Sequence, residues 1–139
     1  MSTLVAPTLI AKPARLRRTT VGRVLSALPV MFLLFDAGIK FTRLDVVAQS
    51  MNQLGYPAGA ALGIGILELV CIALYVVPRT SVLGAVLFTG YLGGAIATHV
   101  RLANPLFTHI LFPVYVAALL WGGLYLREER LRELLPVRR

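Results

Sequence analysis

Four long apolar runs, separated by short polar stretches, dominate the pattern of this chain. They cover residues 21–39, 57–77, 80–100 and 106–126. Each holds roughly 20 residues, the length that crosses a ~30 Å hydrocarbon core at ~1.5 Å rise per residue. Because lipid cannot satisfy free backbone N–H and C=O groups, the runs are predicted to be helices. Short connections make neighbouring helices antiparallel, so the sequence predicts an all-α, four-transmembrane-helix antiparallel bundle.

The stretch between the first and second runs has a different pattern. Apolar residues recur there at a spacing of three or four, with polar residues between them. These apolar residues are Phe41, Leu44, Val47, Met51 and Leu54. The pattern predicts a short amphipathic helix on the outer membrane surface, in the first outer loop. Thr42 and Asp45 resemble a capping box at its start, and Gly55 and Pro57 are expected to end it.

The domain organisation follows from these runs. Residues 1–19 are predicted to be a disordered, basic, cytoplasmic arm, in which Pro7 and Pro13 discourage a continuous helix. Residues 20–136 form the membrane domain, and residues 137–139 form a tail. The first run is expected to be an uncleaved anchor, because Asp36 interrupts it and no small-residue cleavage site follows.

The charge of the chain supports the membrane interpretation and orients the helices. Charged residues make up only 14% of the sequence and hydrophobic residues 58%, whereas soluble domains average about 25% charged residues. Four spans place the N-terminus, the second loop and the C-terminus on one side. That side holds Lys12, Arg15, Arg17, Arg18, Arg23, Arg79, Arg127, Arg130, Arg132, Arg138 and Arg139. The other side holds Lys40, Arg43 and Arg101.

This asymmetry predicts a multi-pass protein of the inner (plasma) membrane with both termini in the cytoplasm. The net charge of +8 is then explained by topology and by contact with anionic membrane lipid, and no nucleic-acid partner is expected.

Ionisable residues inside the apolar runs are the candidates for function, because each costs at least ~2.5–3.5 kcal/mol at the bilayer centre. These candidates are Asp36, Glu68, His99 and His109, with Lys40 and Arg101 at the outer ends of spans. Most lie in the outer half of the bilayer and Glu68 lies near its midplane, which predicts an outward-opening polar pocket that Tyr91 helps to line. The alternatives are a local ion pair between Asp36 and Lys40, and a neutral Glu68 that serves packing.

The two histidines flank the outer hairpin and could face one another across adjacent helices. A metal would need further ligands from Asp36 or Glu68, and no ligand spacing occurs on one helix, so no metal site is predicted. The favoured interpretation is that both histidines sit in the wet interfacial zone. Proton exchange with a bound ligand is the first alternative, and a haem held by both imidazoles is disfavoured. Cys71 is the single cysteine of the sequence, and it is expected to be a buried, inert thiol.

Small residues concentrate in the third run. Gly90, Gly94 and Thr98 form a small-xxx-small stripe, which lets helix backbones approach closely. Packing within the molecule is the favoured interpretation of this stripe, and a homodimer face is the alternative.

Several segments together resemble the DoxX-like family of small bacterial integral membrane proteins. They are residues 23–29, 55–57, 65–68, 74–80, 89–101 and 121–127. The resemblance implies a four-helix membrane fold. It also implies a link to quinone-dependent oxidation of sulfur compounds or to membrane redox complexes, with which some relatives are associated. Lys40, Glu68, His99 and Arg101 match the family pattern by position.

The functional hypothesis is an accessory subunit of a membrane redox system that binds a small lipophilic ligand, a quinone in first place. Glu68 and His99 would hydrogen-bond or exchange protons with the ring oxygens, and Arg101 and Lys40 would set the field at the pocket mouth. Asp36, Tyr91 and His109 complete the expected ligand-binding set. No flavin, iron–sulfur or dithiol motif assigns redox catalysis to this chain alone. The rival hypothesis is a non-catalytic assembly protein that uses the small-residue face of the third helix.

Overall fold

The chain folds into helices joined by short connections. The structure, a computed structural model, describes residues 11–42, 44–57 and 59–135. Its helices are α1 (Ala11–Phe41), α2 (Asp45–Gln53), α3 (Ala60–Val76), α4 (Ser81–Arg101), α5 (Phe112–Arg127) and α6 (Glu129–Leu134). A π-helical turn, Leu106–Ile110, directly precedes α5. The predicted all-α fold is confirmed.

Four of these helices form a bundle. Helix α1 packs on α3 and α5, and α4 packs on the same two helices, so the four close a ring. Three segments are long and apolar enough to cross a membrane: Ala14–Phe41, Ser81–Arg101 and Leu106–Arg127. Helix α3 is apolar but shorter. Side chains such as Met31, Phe35 and Leu62 point outward, as expected for helices whose solvent is lipid.

Glycine allows the closest helix contacts at two places. A Cβ atom on Gly84 would lie 2.3 Å from the Tyr75 backbone nitrogen, and one on Gly123 would lie 2.4 Å from Ser26 Oγ. These contacts join α4 to α3 and α5 to α1. Tyr75 is itself buried and donates its hydroxyl proton to the Leu120 carbonyl at 2.7 Å, which ties α3 to α5.

The small-residue stripe does not pack against another helix of this chain at Gly90 or Gly94. A Cβ atom on Gly90 or Gly94 would meet nothing within 4 Å, so these residues do not bring two helices of this chain together. The interpretation as intramolecular packing was therefore wrong for both. Close packing of α4 comes instead from Gly84, one of the small residues that flank the stripe, and the packing interpretation is confirmed there.

The predicted arm and tail fall partly outside the described residues. Residues 1–10 and 136–139 are not described, but α1 begins at Ala11, so the later part of the predicted arm is helical. Pro13 does not prevent this, because the first N–H groups of a helix have no intrahelical partner in any case.

Helix α2 is amphipathic, as predicted, and buries Val47 and Met51 against the bundle. Its N-cap residue is Leu44, which makes no side-chain capping bond. The Thr42 hydroxyl instead donates to the Ile39 carbonyl at 2.6 Å. The capping-box interpretation was therefore wrong, because Thr42 bonds back to the end of α1.

Candidate functional site

An ionic cluster joins the C-terminal end of α1 to the middle of α3 and of α4. It consists of Asp36 and Lys40 on α1, Glu68 on α3 and Tyr91 on α4. The Lys40 ammonium donates to the Asp36 carboxylate and, at 2.8 Å, to Glu68 Oε2. The Tyr91 hydroxyl donates to the same Glu68 oxygen at 3.1 Å. One carboxylate oxygen thus receives hydrogen bonds from two other helices.

Local sequence explains why Lys40 and Glu68 meet. Ala37 is fully buried, and a Cβ atom on Gly65 would lie 3.1 Å from the Lys40 Cβ and 3.6 Å from the Ala37 carbonyl oxygen. The two small residues therefore let α1 and α3 approach closely. Glu68 follows Gly65 by three residues and shares its helix face, which brings its carboxyl beside Lys40.

The cluster is deeply buried and its charges do not balance. The side chain of Glu68 is 0% exposed and that of Lys40 is 10% exposed, whereas Asp36 is 44% exposed. Two carboxyl groups share one ammonium, so the cluster is neutral only when it also holds one proton or another cation. Glu68 Oε1 is buried and has no hydrogen-bond partner among the described residues. Such an oxygen is costly to leave unpaired.

A cavity of ≈ 550 Å³ lies next to this cluster, between α1, α3 and α4, with α2 along one side. Its polar lining consists of Asp36, Lys40, Ser50, Tyr56, Tyr91, Thr98 and His99. Gly90 and Gly94 form part of its wall, which explains why they have open space beside them. Glu68 does not line the cavity and lies behind Lys40 and Tyr91. Of the expected ligand contacts, the structure places Asp36, Lys40, Tyr91 and His99 at the cavity.

The two histidine rings are in contact, edge to face, with centroids 5.5 Å apart. Asn104 Nδ2 lies 2.8 Å from His99 Nδ1. The two side chains share a hydrogen bond whose direction depends on the tautomer of the His99 ring. His109 lines a smaller neighbouring cavity of ≈ 400 Å³ with His99. Rings in direct contact leave no room for a haem macrocycle between them.

The described residues contain no cluster of three or more His, Cys, Asp or Glu side chains arranged to hold a metal ion. Cys71 is buried, as expected for a structural thiol.

Arg101 caps the C-terminal end of α2. Its Nη2 donates to the Leu54 carbonyl at 2.7 Å, at the C-terminal end of α2, where a cation also interacts favourably with the helix dipole. Gly55 follows with φ +78°, and a Cβ atom there would lie 3.0 Å from Arg101 Nη2. Arg101 does not line the cavity itself, but Leu54, whose carbonyl it caps, does.

Sequence reasoning missed the contribution of α2 and the linker after it. The Tyr56 hydroxyl lies 2.8 Å from Thr98 Oγ1, and Ser50, Met51 and Leu54 line the cavity. Tyr56 belongs to one of the segments that carried the family resemblance, and Thr98 belongs to the small-residue stripe. Both residues were therefore noted in the sequence, but nothing in the sequence indicated that they line the same cavity as Lys40.

A profile of the DoxX-like family matches residues 24–123. The chain belongs to the DoxX-like family. The matched region contains α2, α3 and α4 entire and the whole ionic cluster. Comparisons with curated proteins and with solved structures found no match. The DoxX-like match stops short of residues 124–139, so α6 lies outside it, together with the N-terminal part of α1.

Proposed function

We propose that this DoxX-like protein binds a small lipophilic ligand with ring oxygens, of the quinone class, in the outer cavity, as an accessory subunit of a membrane redox system. The observation that carries the proposal is the cavity of ≈ 550 Å³ lined by Lys40, Tyr91 and His99 among apolar walls. Ligand sites of this kind measure about 300–1,000 Å³ and combine apolar walls with a few polar groups.

The hydrogen-bonding capacity of the lining residues supports this ligand class. Within the described part of the chain, Lys40 uses two of its three N–H groups, on Asp36 and Glu68. The third can donate to a ligand oxygen. His99 lines the cavity, and an imidazole always carries at least one N–H, so it can supply a second donor. A ring with two carbonyl oxygens offers the two matching acceptors.

Glu68 acts on the ligand through its neighbours in this proposal. Because its carboxylate is buried behind Lys40 and Tyr91, it positions their polar groups rather than touching the ligand. A proton can pass between the ligand and Glu68 along the Tyr91 hydroxyl, which both donates to Glu68 and lines the cavity. Glu68 is thus a positioning residue and Tyr91 a contact residue.

Filling the cavity tests the proposal. Gly94→Leu places a side chain into it, and Gly93→Leu is the matched control, since Gly93 also has nothing within 4 Å but does not line the cavity. Protein purified gently from native membranes is extracted, and the lipophilic compounds retained per chain are identified by mass spectrometry. We expect one quinone-type molecule in wild type and in Gly93→Leu, and its loss from Gly94→Leu. Equal retention in all three proteins, or none in wild type, would contradict the proposal.

A second candidate function is non-catalytic assembly through the small-residue face of α4. The open space beside Gly90, Gly93 and Gly94 favours it, because glycine faces are where membrane helices of separate chains pack closely. The same variants distinguish the two functions. If assembly is the function, wild type is a dimer by mass photometry or crosslinking, and Gly93→Leu breaks that dimer. Whether a ligand occupies the cavity then has no effect on the dimer.

The cellular location is part of the proposal. We place the protein in the inner (plasma) membrane, with both termini in the cytoplasm. The support is the distribution of Lys and Arg along the sequence, in which eleven belong to the N-terminal part, the second loop and the C-terminal part, and three belong to the other two loops.

A further inference from the structure

A second, basic cleft lies at the opposite end of the bundle from the outer cavity. It measures ≈ 430 Å³ and is lined by Ala14, Arg15, Arg18, Glu129 and Arg132. Arg15 Nη2 lies 2.6 Å from Glu129 Oε2, and Arg132 Nη2 lies 3.5 Å from Glu129 Oε1. The cleft therefore brings α1 and α6 together around one carboxylate. Three guanidinium groups against one carboxylate leave it with two uncompensated positive charges.

The cleft lies at the depth of lipid headgroups. The first apolar run begins at Val21, and a helix rises ~1.5 Å per residue, which puts Arg18 and Arg15 about 4.5 and 9 Å beyond the hydrocarbon boundary. A bilayer is ~40–45 Å thick with headgroups and ~30 Å without them. The headgroup layer is therefore about 5–8 Å deep on each side, so Arg18 lies within it and Arg15 lies near its outer boundary.

Exposed leucines lie on the two helices that form the cleft. Leu16 on α1 is 72% exposed and Leu134 on α6 is 75% exposed, whereas Leu131 is buried and fixes α6 to the bundle. Large apolar side chains next to arginines match a partner that has both a charged and an apolar part. A phospholipid has this combination, and a soluble anion does not.

We propose that this cleft is a binding site for the phosphate of an anionic phospholipid. Guanidinium groups bind phosphate oxygens in a planar, two-point geometry that lysine does not reproduce. Arg18 and Arg132 supply the main phosphate contacts, and Arg15 is held by Glu129 as the third wall. The site shares no residue with the outer cavity, so its test is independent of the proposed function.

The test compares two double variants of equal charge in the full-length protein. Arg18→Gln/Arg132→Gln removes the two main cleft arginines. Arg17→Gln/Arg130→Gln removes two arginines from the same helices that do not line the cleft. Each protein is reconstituted in nanodiscs of phosphatidylcholine with a minor share of phosphatidylglycerol, and the lipids retained on release into detergent are counted by native mass spectrometry.

We expect wild type and Arg17→Gln/Arg130→Gln to retain phosphatidylglycerol over phosphatidylcholine. Arg18 and Arg132 would also form charge-assisted hydrogen bonds to the phosphate, which Arg17 and Arg130 do not, so the cleft variant should lose this preference at least about tenfold more than the control variant does. Equal losses in both variants would show general charge attraction and overturn the site, as would the absence of a preference in wild type. Displacement of the lipid by millimolar inorganic phosphate alone would also overturn it, because the cleft would then be a free-phosphate site.

Discussion

At the scale of single residues, Lys40 joins the C-terminal end of α1 to α3. It pairs with Asp36 on its own helix and with the fully buried Glu68 on α3, and it lines the outer cavity. Its ammonium compensates a carboxyl that no water reaches. The energy of such a pair depends on both partners being present, because removal of one leaves the other as an uncompensated buried charge.

Replacement of Lys40 by methionine should therefore destabilise the protein by about 3–5 kcal/mol, the usual loss for breaking a buried pair. Methionine keeps the length of the side chain, so the loss reflects the missing charge. Unfolding by SDS in mixed micelles, followed by circular dichroism, measures it.

The control for this prediction removes both partners. Lys40→Met/Glu68→Leu leaves no buried charge between α1 and α3, and should recover most of the stability lost in the single variant. If Lys40→Met alone unfolds at the same SDS fraction as wild type, the pair does not compensate Glu68 in the way described.

At the scale of helices, two kinds of glycine on α4 have opposite roles. Gly84 lies against the backbone of α3 and sets the distance between the two helices, whereas Gly90, Gly93 and Gly94 have open space beside them. Spacing along the sequence cannot separate the two kinds, because each is a small residue on an apolar helix. The position of the neighbouring helix decides which one packs.

Alanine substitution should separate these roles. A Cβ atom at Gly84 would lie 2.3 Å from the Tyr75 nitrogen and 2.5 Å from the Tyr75 Cα, so α3 and α4 must move apart. We expect Gly84→Ala to cost about 3 kcal/mol, near the upper end for overpacking. Gly93→Ala should be neutral or stabilise by up to about 1 kcal/mol, because alanine is the better helix former. Thermal unfolding in detergent compares the two, and equal melting temperatures would contradict the assignment.

At the scale of the whole molecule, the ring of four helices separates two polar regions. The ionic cluster and cavity lie at the end where α1 finishes and α3 begins, and the basic cleft lies where α1 begins and α5 finishes. The excess of Lys and Arg at the second end predicts that it faces the cytoplasm.

Cysteine labelling of intact cells measures this orientation. Cys71 is buried, so the unmodified protein gives the background. Asn52→Cys on α2 should react with a membrane-impermeant maleimide from outside, whereas Glu133→Cys on α6 should react only after permeabilisation. The reverse pattern would show that the basic end faces outward.

The sequence by itself determined the helical class, the four apolar segments and the amphipathic α2. Each of these depends on local quantities: run length against bilayer thickness, and the spacing of apolar residues against the 3.6-residue turn. The cost of charge in lipid likewise marked Asp36, Lys40 and Glu68 as unusual before any contact was known.

Only the tertiary structure decided which of these residues meet and what each touches. It placed Glu68 behind Lys40 and Tyr91 rather than at the cavity surface, assigned Arg101 to the end of α2, and made Gly90 and Gly94 a cavity wall. These outcomes depend on the rotation and separation of helices that are distant in sequence. A closely packed pair such as Ala37 and Gly65 sets that geometry, and one sequence does not reveal which small residues will face each other.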